Sequence, residues 1–147
     1  MPKKNILIFC TALIIVFLDQ LAKFLIRKNL QLNESLPVIK NIFHLTYLKN
    51  TGSAFSLFQG YNPVFIFFSV IVMIAIFCFI KKVKENEKIM QFAVGLLLGG
   101  TSGNLIDRVI YGRVTDFIDF RIWPVFNVAD SAVTVSVIIF IILLWEK

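Results

Sequence analysis

Two aspartates near the end of the chain stand in different chemical surroundings. Asp116 lies in the apolar stretch Val114–Ile118, whereas Asp130 follows Asn127 at the start of a long apolar run. Asn127 is a suitable N-cap for a helix that begins there, and the positive end of that helix favours an ionised Asp130. Acid–base catalysis needs one neutral and one ionised carboxyl, which different surroundings can supply. Spacing alone leaves open a second interpretation, in which the two are unrelated surface acids at a membrane boundary.

Another acid stands inside an apolar segment, four residues before a lysine. Asp19 and Lys23 have the i, i+4 spacing that lets an acid and a following base meet on one helix face. Ionisable groups within a membrane span are costly and mark function by default. The pattern predicts a mutual ion pair that makes insertion tolerable, a direct role in a site, or both.

A later apolar segment combines small residues with polar ones. Its glycines repeat every four residues, at Gly95, Gly99 and Gly103. Such a stripe predicts close packing against a neighbouring helix. Asn104, Asp107 and Arg108 follow on the next turn, where packing alone does not require polar groups. We expect Asp107 to pair locally with Arg108, and Asp119 with Arg121.

Composition indicates that these residues belong to a membrane protein. Of the 147 residues, 58% are hydrophobic and 16% are charged, whereas soluble domains carry about 25% charged residues. A spanning helix needs about 20 mostly apolar residues. Four segments qualify, and they predict a single integral membrane domain with spans at about 6–26, 63–80, 89–106 and 129–145.

Basic residues indicate the orientation of these spans. Lys residues crowd the N-terminus and the 81–88 link, whereas the basic residues of 27–62 and 107–128 are widely spread. Because positive charge concentrates on the cytoplasmic side, we expect both termini in the cytoplasm and regions 27–62 and 107–128 outside it.

Asp19 interrupts the first apolar run and no small-residue cleavage motif follows it, so we expect an uncleaved first helix.

The first outer region contains a β-prone stretch. Residues Phe43–Leu48 alternate with a period of two, which predicts a strand. Asn50–Gly52 supplies a turn, and residues 54–58 are expected to form a return strand.

Several classes of site and partner are excluded by what the chain lacks. Cys10 and Cys78 both sit in apolar runs and do not form a secreted disulfide framework. Two Cys and the single His44 are too few for a zinc site. In so apolar a chain, the net charge of +6 indicates lipid headgroups rather than nucleic acid as the partner.

Five blocks of residues, in family order and covering almost the whole chain, resemble the lipoprotein signal peptidases (signal peptidase II). The blocks are Asp19–Lys23, Asn50–Ser56, Gly103–Arg108, Val114–Phe120 and Phe126–Ala132. Ser53 stands where the family usually has Ala, and Thr101-Ser102 replaces a more apolar pair. Neither departure touches the expected chemistry.

The resemblance implies an all-α membrane protein with four transmembrane helices and a small extracytoplasmic β-rich cradle. It implies an aspartic endopeptidase of the bacterial cytoplasmic (inner) membrane that removes the signal peptide of diacylglyceryl-modified prolipoproteins, cleaving before the lipidated cysteine. It implies Asp116 and Asp130 as the catalytic dyad and globomycin-like cyclic peptides as inhibitors. The residues that it implies as lining or supporting the site are Asp19, Lys23, Asn50, Gly52, Asn104, Arg108, Asn127 and Ala129.

The expected mechanism needs no metal and no organic cofactor. Two adjacent carboxyls share one proton, so the ionised one activates water while the neutral one stabilises the oxyanion. We expect Asp116 to hold the proton and Asp130 to be ionised.

Other mechanisms and functions use some of the same residues. A Ser/Lys peptidase would use Lys23 as its base, although Asp19 one turn away stabilises the charged lysine, and a Ser/His triad would need His44. A small transporter or proton channel would use the acids as a relay, but a relay needs ionisable groups through the depth of the bilayer, and the second span has none. A purely structural four-helix protein leaves the polar blocks unexplained.

Overall fold

Four helices and one small sheet make up the described part of the chain. The computed structural model describes residues 3–52 and 60–145. In chain order its elements are α1 (Lys3–Asn29), β1 (Ser35–Ile39), β2 (Phe43–Asn50), α2 (Asn62–Ile80), α3 (Lys88–Tyr111), β3 (Val114–Asp119) and α4 (Val128–Trp145).

The four helices are each long and apolar enough to cross a membrane. Together with the three-stranded antiparallel sheet, they confirm the predicted fold class. The third helix runs on to Tyr111 and ends at Gly112, which has a φ of 70° and donates its N–H to the Arg108 carbonyl at 3.1 Å. A left-handed glycine at this position is a common helix terminator. Asp107 and Arg108 therefore lie in the last turns of α3, which continues past the predicted end of the third span at about residue 106.

Helix α3 is the central helix of the bundle. Half of its membrane segment (50%) is buried, against 22%, 11% and 17% for α1, α2 and α4. A Cβ added at Gly99 would lie 2.8 Å from the Ala12 carbonyl oxygen of α1, and one at Gly100 would lie 2.5 Å from the Ala129 carbonyl oxygen of α4. The expected close packing is confirmed, and it occurs on two sides of α3.

The sheet has the strand order β1–β2–β3, and both pairings are antiparallel. Leu48 pairs with Asp116 in the β2–β3 register, so Asp116 lies near the end of the ladder beside Asn50. The predicted strand at Phe43–Leu48 is confirmed, while the predicted return strand at 54–58 lies outside the described residues. Strand β1 gives no periodic signal because all five of its residues are exposed and it contains Pro37, which is typical of a sheet edge.

The glycine contacts of α3 generate a prediction about stability. Gly99→Leu places a side chain where α1 leaves no room, and overpacking of this kind costs about 1–3 kcal/mol. We expect a clear fall in the Tm of the purified protein in detergent. Ala75→Leu is the matched control, because Ala75 is exposed on α2, and it should leave the Tm nearly unchanged. Equal Tm values for the two variants would contradict the packing of α1 on α3.

Candidate active site

Helix α4 begins with a capping box that fixes the side chain of Asp130. Asn127 Oδ1 accepts the backbone N–H of Asp130 at 2.9 Å, and Asp130 Oδ2 accepts the backbone N–H of Asn127 at 3.2 Å. This reciprocal pair satisfies two N–H groups at the start of the helix. The predicted N-cap role of Asn127 is confirmed, and the two contacts hold the Asp130 carboxylate close to the helix N-terminus.

The Asp116 carboxylate accepts a hydrogen bond from a side-chain amide at each of its two oxygens. Asn50 Nδ2, at the end of β2, donates to Oδ2 at 3.0 Å. Asn127 Nδ2 donates to Oδ1 at 2.7 Å. Asn127 therefore contacts both predicted catalytic residues, through its side chain to Asp116 and through the capping box to Asp130. Strand β3 and helix α4 bring two acids that are distant in sequence to one amide.

A third asparagine connects Asp130 to a buried lysine. Asn104 Nδ2 donates to Asp130 Oδ1 at 2.7 Å, and Asn104 Oδ1 accepts from Lys23 Nζ at 3.0 Å. Asn127 Nδ2 also reaches Asn104 Oδ1, at 3.2 Å. Each predicted catalytic carboxylate thus accepts two N–H donors, and asparagine supplies all of them.

The carboxyl of Asp116 does not titrate like an exposed acid. Burial and the nearby charge of Asp130 raise the pKa of Asp116 to about 6. Hydrogen bonds from Asn50 and Asn127 and the charge of Lys23 lower this pKa, but by less. Asp119, on the same strand, differs from Asp116 in the direction of its pKa shift. Burial raises the pKa of Asp119, but hydrogen bonds from Thr46 and Arg121 and the charge of Arg121 outweigh it, so that this pKa is lowered overall.

Asp19 and Lys23 form the expected ion pair behind the site. Lys23 Nζ lies 2.8 Å from Asp19 Oδ2, and both side chains are 0% exposed. Asp19 Oδ1 also accepts the backbone N–H of Ala129 at 2.9 Å, in the first turn of α4. The ion-pair interpretation is therefore confirmed, and Asp19 also fixes the start of the helix that carries Asp130. A direct role of the pair in a site stays a prediction.

A cavity of about 970 Å³ lies beside the two aspartates. Five of the predicted site residues line it: Asp116, Asp130, Asn50, Asn104 and Arg108. Much of the remaining wall is apolar and comes from α2, α3 and α4, including Phe65, Phe68, Val72, Leu97 and Val133. The cavity can therefore receive an apolar chain segment next to two carboxyls that differ in their surroundings.

Arg108 lines the cavity, and Gly52 contacts both Arg108 and the cavity residue Asn50. Gly52 donates its backbone N–H to Asn50 Oδ1 at 2.9 Å, which turns the Asn50 NH₂ group towards Asp116. Arg108 Nη2 approaches the Gly52 carbonyl oxygen at 3.4 Å, and its guanidinium lies 5.3 Å from the centre of the Phe65 ring. The cation is thus held over an aromatic face at the cavity.

The predicted local pairing of Asp107 with Arg108 is wrong. Asp107 is fully buried and lies 3.5 Å from Lys23 Nζ and 3.6 Å from Arg27 Nη1 of helix α1. Consecutive helix residues do not face each other, which is why the sequence neighbour is not the partner. The available signal was the repeat of four, since Asp107 continues the stripe of Gly95, Gly99 and Gly103 that faces α1. The predicted pair of Asp119 and Arg121 is confirmed at 3.0 Å.

Further residues of the site were not predicted. Gln20 Nε2 donates to Asp107 Oδ1 at 3.2 Å and to the Gly103 carbonyl oxygen at 3.0 Å. Arg27 and Thr115 join the same cluster, where Arg27 Nη1 donates to Thr115 Oγ1 at 3.0 Å. These contacts join elements that are far apart in sequence, and the spacing of residues along the chain carries no signal for them.

The residues needed for the two serine mechanisms lie apart from the cavity. His44 Nδ1 is 3.0 Å from Ser35 Oγ on the sheet, but His44 Nε2 is buried and has no hydrogen-bond partner among residues 3–52 and 60–145. No carboxylate therefore orients that ring as a base. Lys23 Nζ is held between two carboxylates, at 2.8 Å from Asp19 Oδ2 and 3.5 Å from Asp107 Oδ2. Within the described ranges, no three His, Cys, Asp or Glu side chains are grouped as metal ligands.

Comparisons with known proteins agree on one family. The family model for signal peptidase (SPase) II matches residues 11–146. A lipoprotein signal peptidase of Halothermothrix orenii is 40% identical over 141 residues, covering 96% of this chain and 97% of the relative. One of Moorella thermoacetica is 47% identical over 135 residues, covering 92% and 88%.

Two solved structures of bacterial membrane enzymes have a similar fold. One bacterial membrane enzyme structure has a TM-score of 0.90 at 36% identity, covering 95% of this chain and 87% of the other. A second has a TM-score of 0.87 at 35% identity, covering 95% and 93%. Members of the signal peptidase II family are membrane peptidases. Since both the sequence and the fold match over nearly the full length, the chain belongs to this family.

Proposed function

We propose that the protein is a membrane-embedded aspartic endopeptidase that removes the signal peptide of diacylglyceryl-modified prolipoproteins, cleaving before the lipidated cysteine. One observation carries the proposal. The side-chain amide of Asn127 donates to the Asp116 carboxylate and accepts the backbone N–H of Asp130, beside an apolar cavity. The relatives named above are lipoprotein signal peptidases, which supports the choice of substrate. An apolar signal segment suits the cavity wall of α2, α3 and α4.

The reaction follows from the difference between the two carboxyls. Ionised Asp130 takes a proton from water, and the water oxygen attacks the carbonyl carbon of the scissile peptide bond. Neutral Asp116 hydrogen-bonds the developing oxyanion and then gives its proton to the leaving nitrogen as the C–N bond breaks. The pair ends with its one proton on Asp130 and exchanges it with solvent before the next cycle.

Two features favour this assignment of the proton. Burial and the charge of Asp130 raise the pKa of Asp116 to about 6, so this carboxyl holds a proton more readily than an ordinary one. Asp130 accepts the Asn127 N–H at the start of α4, where the positive end of the helix favours an ionised carboxylate. The apparent pKa values measured in kinetics belong to the pair.

The other residues have supporting roles in this proposal. Asn50, Asn104 and Asn127 hold the carboxylates in place, with Gly52 fixing Asn50. Asp19, Lys23 and Ala129 hold α1 and α4 together behind Asp130. Arg108 lines the cavity, where its charge suits the polar part of the lipidated substrate or a globomycin-like inhibitor. No metal or organic cofactor takes part.

The proposed orientation has both termini in the cytoplasm and the site facing outwards. The Lys-rich link at 81–88 and the sheet lie beyond opposite ends of α3. Because basic residues concentrate on the cytoplasmic side, the sheet and the aspartates belong near the outer surface of the bacterial inner membrane. A transporter or proton channel is not favoured, because α2 carries no ionisable residue for a relay.

The dyad is tested by replacing each acid with its uncharged isostere. Asp116→Asn and Asp130→Asn each remove one step of the acid–base mechanism, so we expect processing to fall by at least about 10³-fold. The measurement is a gel-shift assay in which purified protein in detergent cleaves a diacylglyceryl-modified pro-substrate. Asp119→Asn is the matched control, since Asp119 ends the same strand and pairs with Arg121 outside the cavity. Near-normal cleavage by either dyad variant would refute the proposal.

The pH dependence of stability provides a test that does not require substrate. Between about pH 4 and pH 6, folded Asp116 holds a proton that the unfolded chain releases, so its contribution to the free energy of unfolding falls as the pH rises. At pH 7 the raised pKa therefore lowers the free energy of unfolding, by about 3 kcal/mol for a two-unit shift. Asp116→Asn removes this loss of stability. We expect the Tm of the variant, relative to wild type, to increase from pH 4 to pH 7.

Asp119→Asn should behave in the opposite way in the same experiment. Because the pKa of Asp119 is lowered in the folded protein, its ionised form stabilises the fold above the ordinary carboxyl range, and this contribution disappears as the pH falls through the lowered pKa. The variant should therefore lose stability at pH 7 and recover at acid pH. A trend of the same sign for both variants would contradict the different surroundings assigned to the two acids.

A further inference from the structure

We propose that Arg27, Asp107 and Thr115 form an anchor that sets the position of Asp116 relative to Asp130. The inference rests on the proposed aspartic mechanism and adds to it residues that act through Asp116. None of the three lines the cavity among the described residues. They are positioning residues, and their contribution should appear in the rate of the chemical step.

The anchor begins at the edge of β3 that faces away from β2. Among the strands of the described residues, β2 alone pairs with β3, and the other edge meets Phe126 through an isolated bridge at Ile118. At that edge Thr115 donates its backbone N–H to Asp107 Oδ2 at 2.9 Å, and Phe117 donates its own to the Phe126 carbonyl oxygen at 2.9 Å. These residues stand immediately before and after Asp116. The backbone of the catalytic residue is therefore held on both sides, once by a side chain of α3 and once by the segment that leads into α4.

Arg27 connects the same point to α1. Its Nη1 donates to Thr115 Oγ1 at 3.0 Å and lies 3.6 Å from Asp107 Oδ1, and its guanidinium lies 4.5 Å from the centre of the Tyr111 ring. Arg27 follows Lys23 by four residues, so both side chains lie on the face of α1 that meets Asp107. The anchor thus joins α1, α3 and β3 at the residue next to Asp116.

A small displacement of Asp116 is expected to slow the reaction strongly. Proton transfer and attack require the reacting atoms to be held within a few tenths of an ångström, and an error of about 1 Å can cost about 10²-fold in rate. Arg27, Asp107 and Thr115 are not among the residues that line the cavity, so substrate binding should change little. Loss of the anchor should therefore lower kcat and leave KM nearly unchanged.

Thr115 gives the sharpest test, because Asp107 is fully buried between two cations and its replacement can prevent folding. Thr115→Val has the same shape, keeps the backbone hydrogen bond to Asp107 and removes only the oxygen that Arg27 contacts. We expect kcat on a diacylglyceryl-modified peptide to fall by about 10-fold or more with KM within about two-fold, and Thr115→Ser to restore it. We also expect the pH profile of kcat to shift, because the coupling of Asp116 to Asp130 depends on their separation.

The control is Thr46→Val. Thr46 is also a buried strand threonine, and its hydroxyl donates to Asp119 Oδ2 at 2.7 Å. This variant should lower the Tm without changing the pH profile or the ratio of kcat to KM. If Thr115→Val does not accumulate in the membrane, Arg27→Met decides the question with the same measurements, since the Arg27 side chain is 19% exposed.

A double-mutant cycle tests the link between the two residues. Because Arg27 and Thr115 share one hydrogen bond, the fall in kcat for Arg27→Met combined with Thr115→Val should be smaller than the product of the two single effects. A wild-type kcat and pH profile for Thr115→Val, fully additive effects, or an effect confined to KM would each overturn the anchor. A wild-type protein that cleaves no lipidated substrate would instead refute the proposed function, so the two failures are distinguishable.

Discussion

The ammonium group of Lys23 is a buried charge that the fold must neutralise. Its side chain is fully buried, and Asp19 and Asp107, at 2.8 and 3.5 Å, are both fully buried as well. Charges removed from water remain stable only when their partners are close and hydrogen-bonded. The need to satisfy this group brings α1 against α3. Asp19 extends the constraint to α4 through the Ala129 N–H, so that three helices meet where the site is built.

Two asparagines connect these buried charges to the carboxylates of Asp116 and Asp130 by hydrogen bonds. Asn104 accepts from Lys23 with its oxygen and donates to Asp130 with its nitrogen, and Asn127 donates to Asp116. An amide has both a donor end and an acceptor end, so it can join a cation to an anion without adding charge. A lysine or aspartate at position 104 would unbalance the cluster. The network therefore supplies directed N–H donors and leaves the net charge at the aspartates unchanged.

Much of the fold could be predicted because the membrane imposes a simple pattern. Apolar segments of about 20 residues specify four helices, and the glycine repeat specifies their close contact. The edge strand β1 could not be found because an exposed strand shows no alternation of polarity. The partners of Asp107 could not be found by spacing because Lys23 and Arg27 are far away in sequence. The predicted aspartates and asparagines were identified through family resemblance, and local chemistry alone left the link between Asp116 and Asp130 open.

The two aspartates differ because they belong to different kinds of backbone. Asp116 lies on a strand, where the main-chain N–H groups of its neighbours Thr115 and Phe117 donate to Asp107 and Phe126. In the described part of the chain, its carboxyl accepts side-chain amides. Asp130 lies in the first turn of a helix, where main-chain N–H groups are free, and its carboxylate accepts one of them directly. The two carboxyls therefore differ in their donors, and Asp130 accepts its main-chain N–H at the positive end of a helix. In the proposed mechanism, the strand therefore carries the acid and the helix carries the base.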